Sequence, residues 1–281
     1  MSGQRTRLRL AQNLFASETP ARTLVASADL APGDLVYDLG AGTGAVTAAL
    51  LAAGARVVAV ERDPNLARKL RARFAGQPVR VIEADLREAR FTAPFKVVAN
   101  PPFNLTADLL RRLLAPASGP QAAAIVLQRE AAMKYAGVRP TAVSLAARPW
   151  FDLDVSQPFS RRDFVPVPSV EVALLRITKK AKPDIAADEA QAWQAFVRYA
   201  LARPRPDAWR TFRGLVSNLQ WRRLSQDLAI APDALRADLG YEQWLGVFRF
   251  VRRCAPAGKL RRISADAPSP AQTPRRRIER V

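Results

Sequence analysis

A glycine turn after the first apolar segment is the feature that most restricts the fold of this chain. Leu35–Asp38 is short and apolar, and Gly40, Gly42 and Gly44 follow it at alternate positions. Glycine permits backbone conformations with positive φ and a close approach of the backbone to a ligand. An amphipathic segment, Val46–Ala53, comes next. A strand, a glycine turn and a helix in this order predict a parallel α/β sheet that binds a ligand where the strand ends.

The spacing of these glycines also restricts the ligand. It is G-x-G-x-G, whereas the dinucleotide fingerprint is G-x-G-x-x-G. It therefore favours a ligand that has no pyrophosphate. A plain tight turn between strand and helix is the alternative interpretation of the same residues.

Strand and helix patterns continue to alternate as far as about Ile177. Such alternation predicts a doubly wound, mostly parallel sheet. Asp63-Pro64 is a helix N-cap signal, with Pro at the first helical position. The predicted elements are strands at Arg56–Glu61, Val79–Glu83, Lys96–Ala99 and Ala123–Leu127, helices from Asp63 to about Phe74 and at Leu105–Leu114, and a final hairpin of Asp152–Val155 with Val170–Ile177.

The pattern changes after the charged, proline-broken segment Lys179–Pro183. We predict an α/β class fold, a Rossmann-like doubly wound sheet with a small C-terminal helical domain. The ligand-binding domain covers 1–178, the helical domain 179–263, and a basic tail 264–281 that is too poor in apolar residues to pack and is expected to be disordered. The predicted helices of the second domain are Asp188–Ala202, Trp209–Leu219, Leu224–Leu228 and Pro232–Leu239.

The charge of the chain points to its partner. A formal net charge of +19 over 281 residues makes nucleic acid the first candidate and an anionic membrane surface the second. The absence of His, with Cys254 as the single cysteine, excludes a Cys/His zinc site and most histidine acid–base chemistry, so we expect no metal. No apolar run is long enough to span a membrane and no signal core is present, so we expect a cytoplasmic protein.

Carboxylates stand at the ends of two predicted strands. Glu61 can accept both ribose hydroxyls of a nucleoside, and Asp85 can accept from an adenine amino group. A surface acid paired with arginine is the alternative for Glu61, and a turn cap is the alternative for Asp85. Asp63 competes with Glu61, but its place before Pro64 fits capping better. Glu83 points to the opposite face because side chains alternate along a strand.

Asn100-Pro101-Pro102-Phe103 is the most specific motif in the chain. The two prolines fix a stiff turn directly after a strand. The Asn100 amide and a turn carbonyl are acceptors aimed at one point, and Phe103 offers a stacking face. Acceptors for both N–H groups of an exocyclic adenine amine would draw its nitrogen toward a tetrahedral lone pair, without a general base. An ordinary Asn-Pro turn is the alternative.

These motifs together resemble those of ribosomal RNA adenine N6-methyltransferases. The resemblance covers about residues 8 to 260, and its motifs are Gln12–Phe15, Asp38–Gly44, Glu61, Asp85, Asn100–Phe103 and Phe164–Pro168. It implies S-adenosylmethionine as cofactor and a target base held by Phe103 and Phe164. The cofactor contacts that we predict are Gln12, Asn13, Leu14, Asp38, Gly40, Gly42, Glu61, Arg62, Asp85, Leu86 and Asn100.

Two branches of the family share this pattern. The Erm type methylates 23S rRNA and confers macrolide-lincosamide-streptogramin resistance, and the KsgA type dimethylates adjacent adenines in small-subunit rRNA. The Asn100–Phe103 motif ends in Phe rather than Tyr, and this ending and the Arg-rich tail resemble the Erm branch. The resemblance therefore implies a monomeric enzyme that acts on 23S rRNA. Leu14-Phe15 departs from the family, which more often has Phe-Leu.

Three other functions stay open at this point. A KsgA-type enzyme is the nearest. A DNA adenine methyltransferase could carry the same Asn-Pro-Pro-Phe turn, although the chain has no evident large target-recognition domain and Phe164–Pro168 fits the rRNA family. A non-catalytic RNA-binding factor could keep the fold, although the presence of Glu61, Asp85 and Asn100 argues against it.

Overall fold

The computed structural model describes residues 14–137, 139–203 and 207–254. Gln12, Asn13 and the tail 264–281 lie outside the described residues. The described residues form two compact units: 14–136 with 150–184, and 137–149 with 185–254, apart from the gaps just named. Within these ranges, every helix falls short of the length and apolarity needed to cross a membrane.

The first unit contains the strands and the first five helices. Its strands are β1 (Leu14–Phe15), β2 (Leu35–Leu39), β3 (Arg56–Glu61), β4 (Val79–Glu83), β5 (Lys96–Ala99), β6 (Ala122–Gln128), β7 (Phe151–Ser156), β8 (Phe164–Val165) and β9 (Val172–Lys179). Its helices are α1 (Glu18–Ala26), α2 (Ala45–Ala52), α3 (Pro64–Arg73), α4 (Thr106–Leu113) and α5 (Arg129–Ala136). The helices of the second unit are α6 (Ala142–Ala147), α7 (Ala190–Leu201), α8 (Ala208–Phe212), α9 (Asn218–Asp227) and α10 (Tyr241–Cys254).

Seven strands form one sheet in the order β4-β3-β2-β5-β6-β9-β7. β2 pairs in parallel with both β3 and β5, so the strand order reverses there. Ligands of such sheets bind outside the carboxyl ends of the strands at this reversal. β9 is antiparallel to β6 and β7, which confirms the predicted final hairpin. The predicted α/β fold class is confirmed as well.

Local interactions explain how the cleft-forming end of the sheet is built. Gly40, Gly42 and Gly44 have φ of 84°, 56° and 87°, values that L side chains rarely adopt. A side chain at Gly44 would also come within 2.7 Å of Leu70, so the glycine allows α3 to pack against the start of α2. The Asp63 carboxylate accepts from the first backbone N–H groups of α3 at 2.8 and 3.2 Å, which confirms the predicted cap.

A second, two-stranded sheet pairs β1 with β8. Leu14 lies opposite Val165 and Phe15 opposite Phe164. Phe15 and Phe164 form a cluster with Phe159, with ring centroids 5.2 to 6.0 Å apart. This aromatic contact fixes the segment before α1 against the proline-rich connection between β7 and β9.

Aromatic side chains form the core of the second unit. The Phe196 ring centroid lies 5.7 Å from that of Phe212, 6.1 Å from that of Trp244 and 5.5 Å from that of Phe248. Trp193 is fully buried and donates its indole N–H to the Leu145 carbonyl at 2.8 Å. Rings in face and edge contact stabilise the unit beyond the area that they bury.

Two of the helices predicted in this unit have different bounds in the structure. The helix predicted at Trp209–Leu219 ends at Phe212, because Ser217 begins α9 as an N-cap. Ser217 and Gln220 exchange side-chain to backbone bonds at 2.8 and 3.3 Å, a capping box that starts a new helix. Leu224–Leu228, predicted as a separate helix, is the last part of α9 and its C-cap.

The helix predicted at Pro232–Leu239 is absent, and these described residues form turns instead. The Asp238 carboxylate accepts from the Leu235 N–H at 3.3 Å, and Leu235 forms a bridge with Asp207. Such local side-chain bonds compete with helix formation. The sequence analysis did not predict α10, whose interior contains Gly246. A side chain there would meet Leu228 at 2.5 Å, so this glycine permits close packing rather than ending the helix.

Candidate active site

A cleft opens at the carboxyl ends of β3 and β4, beside the glycine turn. Five of the predicted cofactor contacts line it together: Gly40, Glu61, Arg62, Asp85 and Leu86. The other residues that line the cleft are Val60, Ala84, Pro102, Asn104 and Leu105. Of this second set, no residue was predicted as a cofactor contact, and only Pro102 belongs to a motif that the sequence analysis singled out. The predicted strand-end acids therefore lie in one cleft.

Glu61 is held by two backbone N–H groups. It is 3% exposed, and its Oε2 accepts from the Gly42 N–H at 2.8 Å while its Oε1 accepts from the Asp63 N–H at 2.7 Å. This burial shows that the alternative of a surface acid paired with arginine is wrong. A carboxylate has about four acceptor positions, so Glu61 keeps capacity for hydroxyl donors in the cleft.

Asp38 lies beneath the glycine turn and is fully buried. Its Oδ2 accepts from the Thr47 hydroxyl at 2.6 Å, and its Oδ1 has no hydrogen-bond partner among the described residues. The pKa of Asp38 is raised to about 7, mainly by burial and in smaller part by the charge of nearby Glu61. Thr47, on α2, was not predicted as a site residue. The sequence signal that could have identified Thr47 is its hydroxyl in the first turn of the helix that follows the glycine turn.

Asp85 is bound by two arginines. Arg87 donates from Nε to Oδ1 at 2.9 Å and from Nη2 to Oδ2 at 2.7 Å, and Arg62 lies 3.5 Å from Oδ2. The hydrogen bonds from Arg87 are the main reason that the pKa of Asp85 is lowered to about 2. Asp85 also accepts from the Arg87 N–H at 2.9 Å. It therefore lines the cleft and is also a turn cap, which was the alternative interpretation of this residue.

The Asn100–Phe103 turn lies against the glycine turn. A side chain at Gly40 would come 3.5 Å from Pro102 Cδ and 3.7 Å from Pro101 Cα, so the glycine allows the two turns to meet. Asn100 follows β5 directly and is half-buried. Phe103 is also half-buried and packs against the core that contains Phe164. The structure thus brings the Asn100 motif to the cofactor cleft.

Phe164 is placed differently from Phe103. It is fully buried and packs between Phe15 and Phe159, whereas Val165 beside it is 58% exposed. Its ring has no exposed face in this structure. The role of Phe164 in holding a target base stays a prediction.

Leu14 lies close to the glycine turn. Its Cδ2 lies 3.0 Å from the position that a side chain at Gly42 would take. The predicted contact of Leu14 with the cofactor therefore has a place beside the cleft. Gln12 and Asn13, the other two predicted contacts of this segment, lie outside the described residues.

The donor and acceptor pattern of the cleft fits adenosine. Val60, Leu86 and Leu105 offer apolar walls for a ring system. Glu61 suits a ribose diol, and the ionised Asp85 suits an amino group. Gly40 and Gly42 leave room for a ligand where a Cβ would fill the turn. A purine nucleoside is thus the group for which these residues are best suited.

Comparison with known proteins identifies relatives of both branches. The family model described as ribosomal RNA adenine dimethylase matches residues 3–253. The mycinamicin-resistance protein MyrB of Micromonospora griseorubida is 34% identical over 237 residues, 80% of this chain and 73% of that protein. The ribosomal RNA small subunit methyltransferase A of Acaryochloris marina is 28% identical, over 86% of this chain and 96% of that protein.

A solved structure shares the architecture over both units. The crystal structure of the 23S rRNA methyltransferase ErmE superposes with a TM-score of 0.78 at 25% identity. The match covers 85% of this chain and 100% of that one. Sequence and structure comparisons thus agree on one group of proteins.

Proposed function

This chain belongs to the ribosomal RNA adenine dimethylase family, and from that premise we propose that it methylates N6 of an adenine in 23S rRNA. Members of this family are S-adenosylmethionine-dependent rRNA adenine N6-methyltransferases, so the chain is an enzyme of this class. The observation that carries the proposal is the position of the Asn100 turn against Gly40, beside the cleft that Glu61 and Asp85 line.

The cleft residues would hold S-adenosylmethionine by its adenosine half. Glu61 would accept from the ribose hydroxyls, Asp85 would accept from the adenine amine, and Leu86 would pack on the ring. When bound, the cofactor supplies a methyl group activated by its positive sulfonium. Gly40 and Gly42 place the backbone of the turn against the cofactor, where a larger residue would displace it.

The Asn100 turn prepares the acceptor nitrogen. The N6 lone pair of adenine is delocalised into the ring, so the free amine is a weak nucleophile. The Asn100 side-chain oxygen and a turn carbonyl accept its two N–H groups and favour a tetrahedral nitrogen. Phe103 stacks on the base, which enzymes of this kind flip out of the RNA. N6 would then accept the methyl group that the cofactor supplies and would lose one proton to water.

The choice of 23S rRNA rests on several observations. MyrB is named for mycinamicin resistance and ErmE for 23S rRNA, and both resemble this chain over most of its length. The Asn-Pro-Pro-Phe ending agrees with that branch. We therefore propose methylation in the peptidyl-transferase region of 23S rRNA, with macrolide-lincosamide-streptogramin resistance as its consequence. The likeness to small-subunit methyltransferase A makes small-subunit rRNA the second candidate target.

Mass spectrometry of rRNA from a macrolide-sensitive host tests this proposal. Host cells express either the full chain or Asn100→Ala, and fragments of 23S and small-subunit RNA are compared. We expect methylated adenine in the peptidyl-transferase region of 23S rRNA with the wild type alone, together with a raised inhibitory concentration of erythromycin. Methylation confined to small-subunit RNA would assign the second target, and no change in either RNA would contradict both.

A further inference from the structure

The wall of the cleft formed by β4 continues into a long loop. Residues 84–95 connect β4 to β5 without a helix or strand, and Ala84, Asp85 and Leu86 at their start line the cleft. Loops of this length are mobile unless other elements hold them. The position of Asp85 and Leu86 therefore depends on what holds this loop.

Arg112 of α4 holds the loop through three contacts. Its Nη1 donates to the Leu86 carbonyl at 2.8 Å, and its Nη2 donates to the Ala89 carbonyl. The guanidinium also lies over the Phe91 ring, 5.1 Å from its centroid. Leu86 and Ala89 are both buried, so their carbonyls need donors inside the protein.

The far end of the loop is fixed by aromatic packing. Phe91 stacks on Phe95 with centroids 4.8 Å apart, and Tyr37 meets both rings edge-on. The Thr92 N–H donates to the Tyr37 hydroxyl at 3.0 Å. Arg112 thus joins the middle of the loop to an anchor at the sheet, through the ring of Phe91.

The helix that carries Arg112 comes directly after the catalytic turn. Phe103–Leu105 forms a single helical turn after Asn100-Pro101-Pro102, and α4 begins at Thr106. Arg112 therefore connects the cofactor side of the cleft to the element that begins at the Asn100 turn. A planar guanidinium can donate to two carbonyls in a fixed geometry, which an ammonium group cannot do as well.

We propose that Arg112 is a positioning residue that sets the adenosine subsite by fixing the carbonyls of Leu86 and Ala89. This inference rests on the proposed cofactor. Arg112 differs in this from its neighbour Arg111, which is 74% exposed and pairs with Asp108 on the same helix at 3.0 Å. Arg111 reaches no part of loop 84–95 in the contacts just described, so it provides a matched control on the same helix.

Calorimetry with S-adenosylhomocysteine, without RNA, tests the role of Arg112. Arg112→Ala is expected to weaken binding about tenfold, or about 1.4 kcal/mol, because the ligand must then order a loop that has lost its charged donor. Arg112→Lys should recover part of this loss, and Arg111→Ala should bind as the wild type does. The loss should persist with 5′-methylthioadenosine, which keeps the adenosine half of the ligand and lacks its amino acid.

Steady-state kinetics then separates positioning from a general loss of structure. Arg112→Ala and Arg112→Lys should raise the KM for S-adenosylmethionine and leave the KM for RNA and kcat unchanged. Unaltered ligand affinity in folded Arg112→Ala would overturn the assignment, as would a loss confined to RNA affinity. If Arg112→Ala does not fold, two other single variants, Arg112→Lys and Phe91→Ala, are measured instead. Wild-type ligand affinity in both of them would overturn the assignment of Arg112. A wild type that binds no S-adenosylhomocysteine would overturn the proposed cofactor instead.

Discussion

Glu61 in the cleft and Trp244 in the helical unit are both buried, at 3% and 0% exposure, but their surroundings differ. Two backbone N–H groups bond Glu61, at the end of a strand whose neighbours fix its position. Trp244 meets the rings of Phe196 and Phe212 edge-on, with no polar contact at its indole nitrogen among the described residues. From this comparison we predict that substitutions in the cleft act on ligand binding and methyl transfer, whereas substitutions in the aromatic core act on stability.

Truncation in the aromatic core should give the largest effect and should act on stability. Trp244→Ala is expected to lower the free energy of unfolding by about 3–5 kcal/mol, because it leaves a cavity among packed rings. Urea unfolding followed by circular dichroism measures this. Trp244→Phe should cost less, since it keeps a ring and removes a buried N–H without a partner. A Trp244→Ala protein of wild-type stability would break the comparison.

Asn100→Ala should act on the rate and leave stability unchanged. Removing one preorganised polar contact to the reacting group costs about 3–4 kcal/mol in the barrier, a rate loss of about a hundredfold or more. Single-turnover methylation of an RNA fragment measures this, with RNA affinity expected to be retained. Asn65→Ala, at an exposed position of α3, is the control. A variant that keeps more than about a tenth of the wild-type rate would remove the proposed role of Asn100.

Glu61→Ala tests the role of the cleft, and Glu83 on the neighbouring strand provides a control for it. Glu83 lies opposite Glu61 in the β3–β4 register, but it pairs with Arg71 at 3.5 Å and is exposed. Glu61→Ala should weaken S-adenosylhomocysteine binding by about 1.5–3 kcal/mol, the value of a charge-assisted hydrogen bond. Glu83→Ala should leave the affinity unchanged. Equal affinities of the two variants in calorimetry would mean that Glu61 only supports the turn.

Asp38 should give the smallest change in the free energy of unfolding, and this change depends on pH. Its pKa is raised from an ordinary 3.8 to about 7 in the folded protein, so between these values the folded state holds the proton more tightly. The free energy of unfolding should therefore fall as pH rises through this range, by at most about 1.4 kcal/mol per pH unit. Asp38→Asn should lack this contribution. Urea titrations of the wild type and Asp38→Asn at pH 5 and pH 6 detect this contribution. If the free energy of unfolding changes equally with pH in both proteins, the raised pKa of Asp38 is contradicted.

The sequence predicted the cleft well where a residue's place follows from the sheet. Glu61 and Asp85 end neighbouring parallel strands, and parallel strands bring their carboxyl ends to one edge. The glycine turn and the Asn100 turn follow β2 and β5, which are neighbours in the same sheet. These positions need no knowledge of side-chain packing, because strand order alone brings them together.

Residues that act through loops could not be predicted in the same way. Arg87 binds Asp85 from two positions away, and Arg112 reaches carbonyls more than twenty positions earlier in the chain. Both contacts depend on the path of loop 84–95, which has no periodic pattern. In the helical unit, the prediction of a helix at Pro232–Leu239 was wrong because local side-chain bonds outweighed helix propensity there.

The pairing of β1 with β8 limits how this protein can vary by insertion or deletion. Phe164 is buried and Val165 exposed because adjacent residues of a strand face opposite sides. One residue removed between Ser156 and Phe164 would shift this register by one, exposing the phenylalanine and placing Val165 against Phe15. Length changes of two residues would keep the faces. In evolutionary terms, we expect variation in the length of this connection to be tolerated in steps of two.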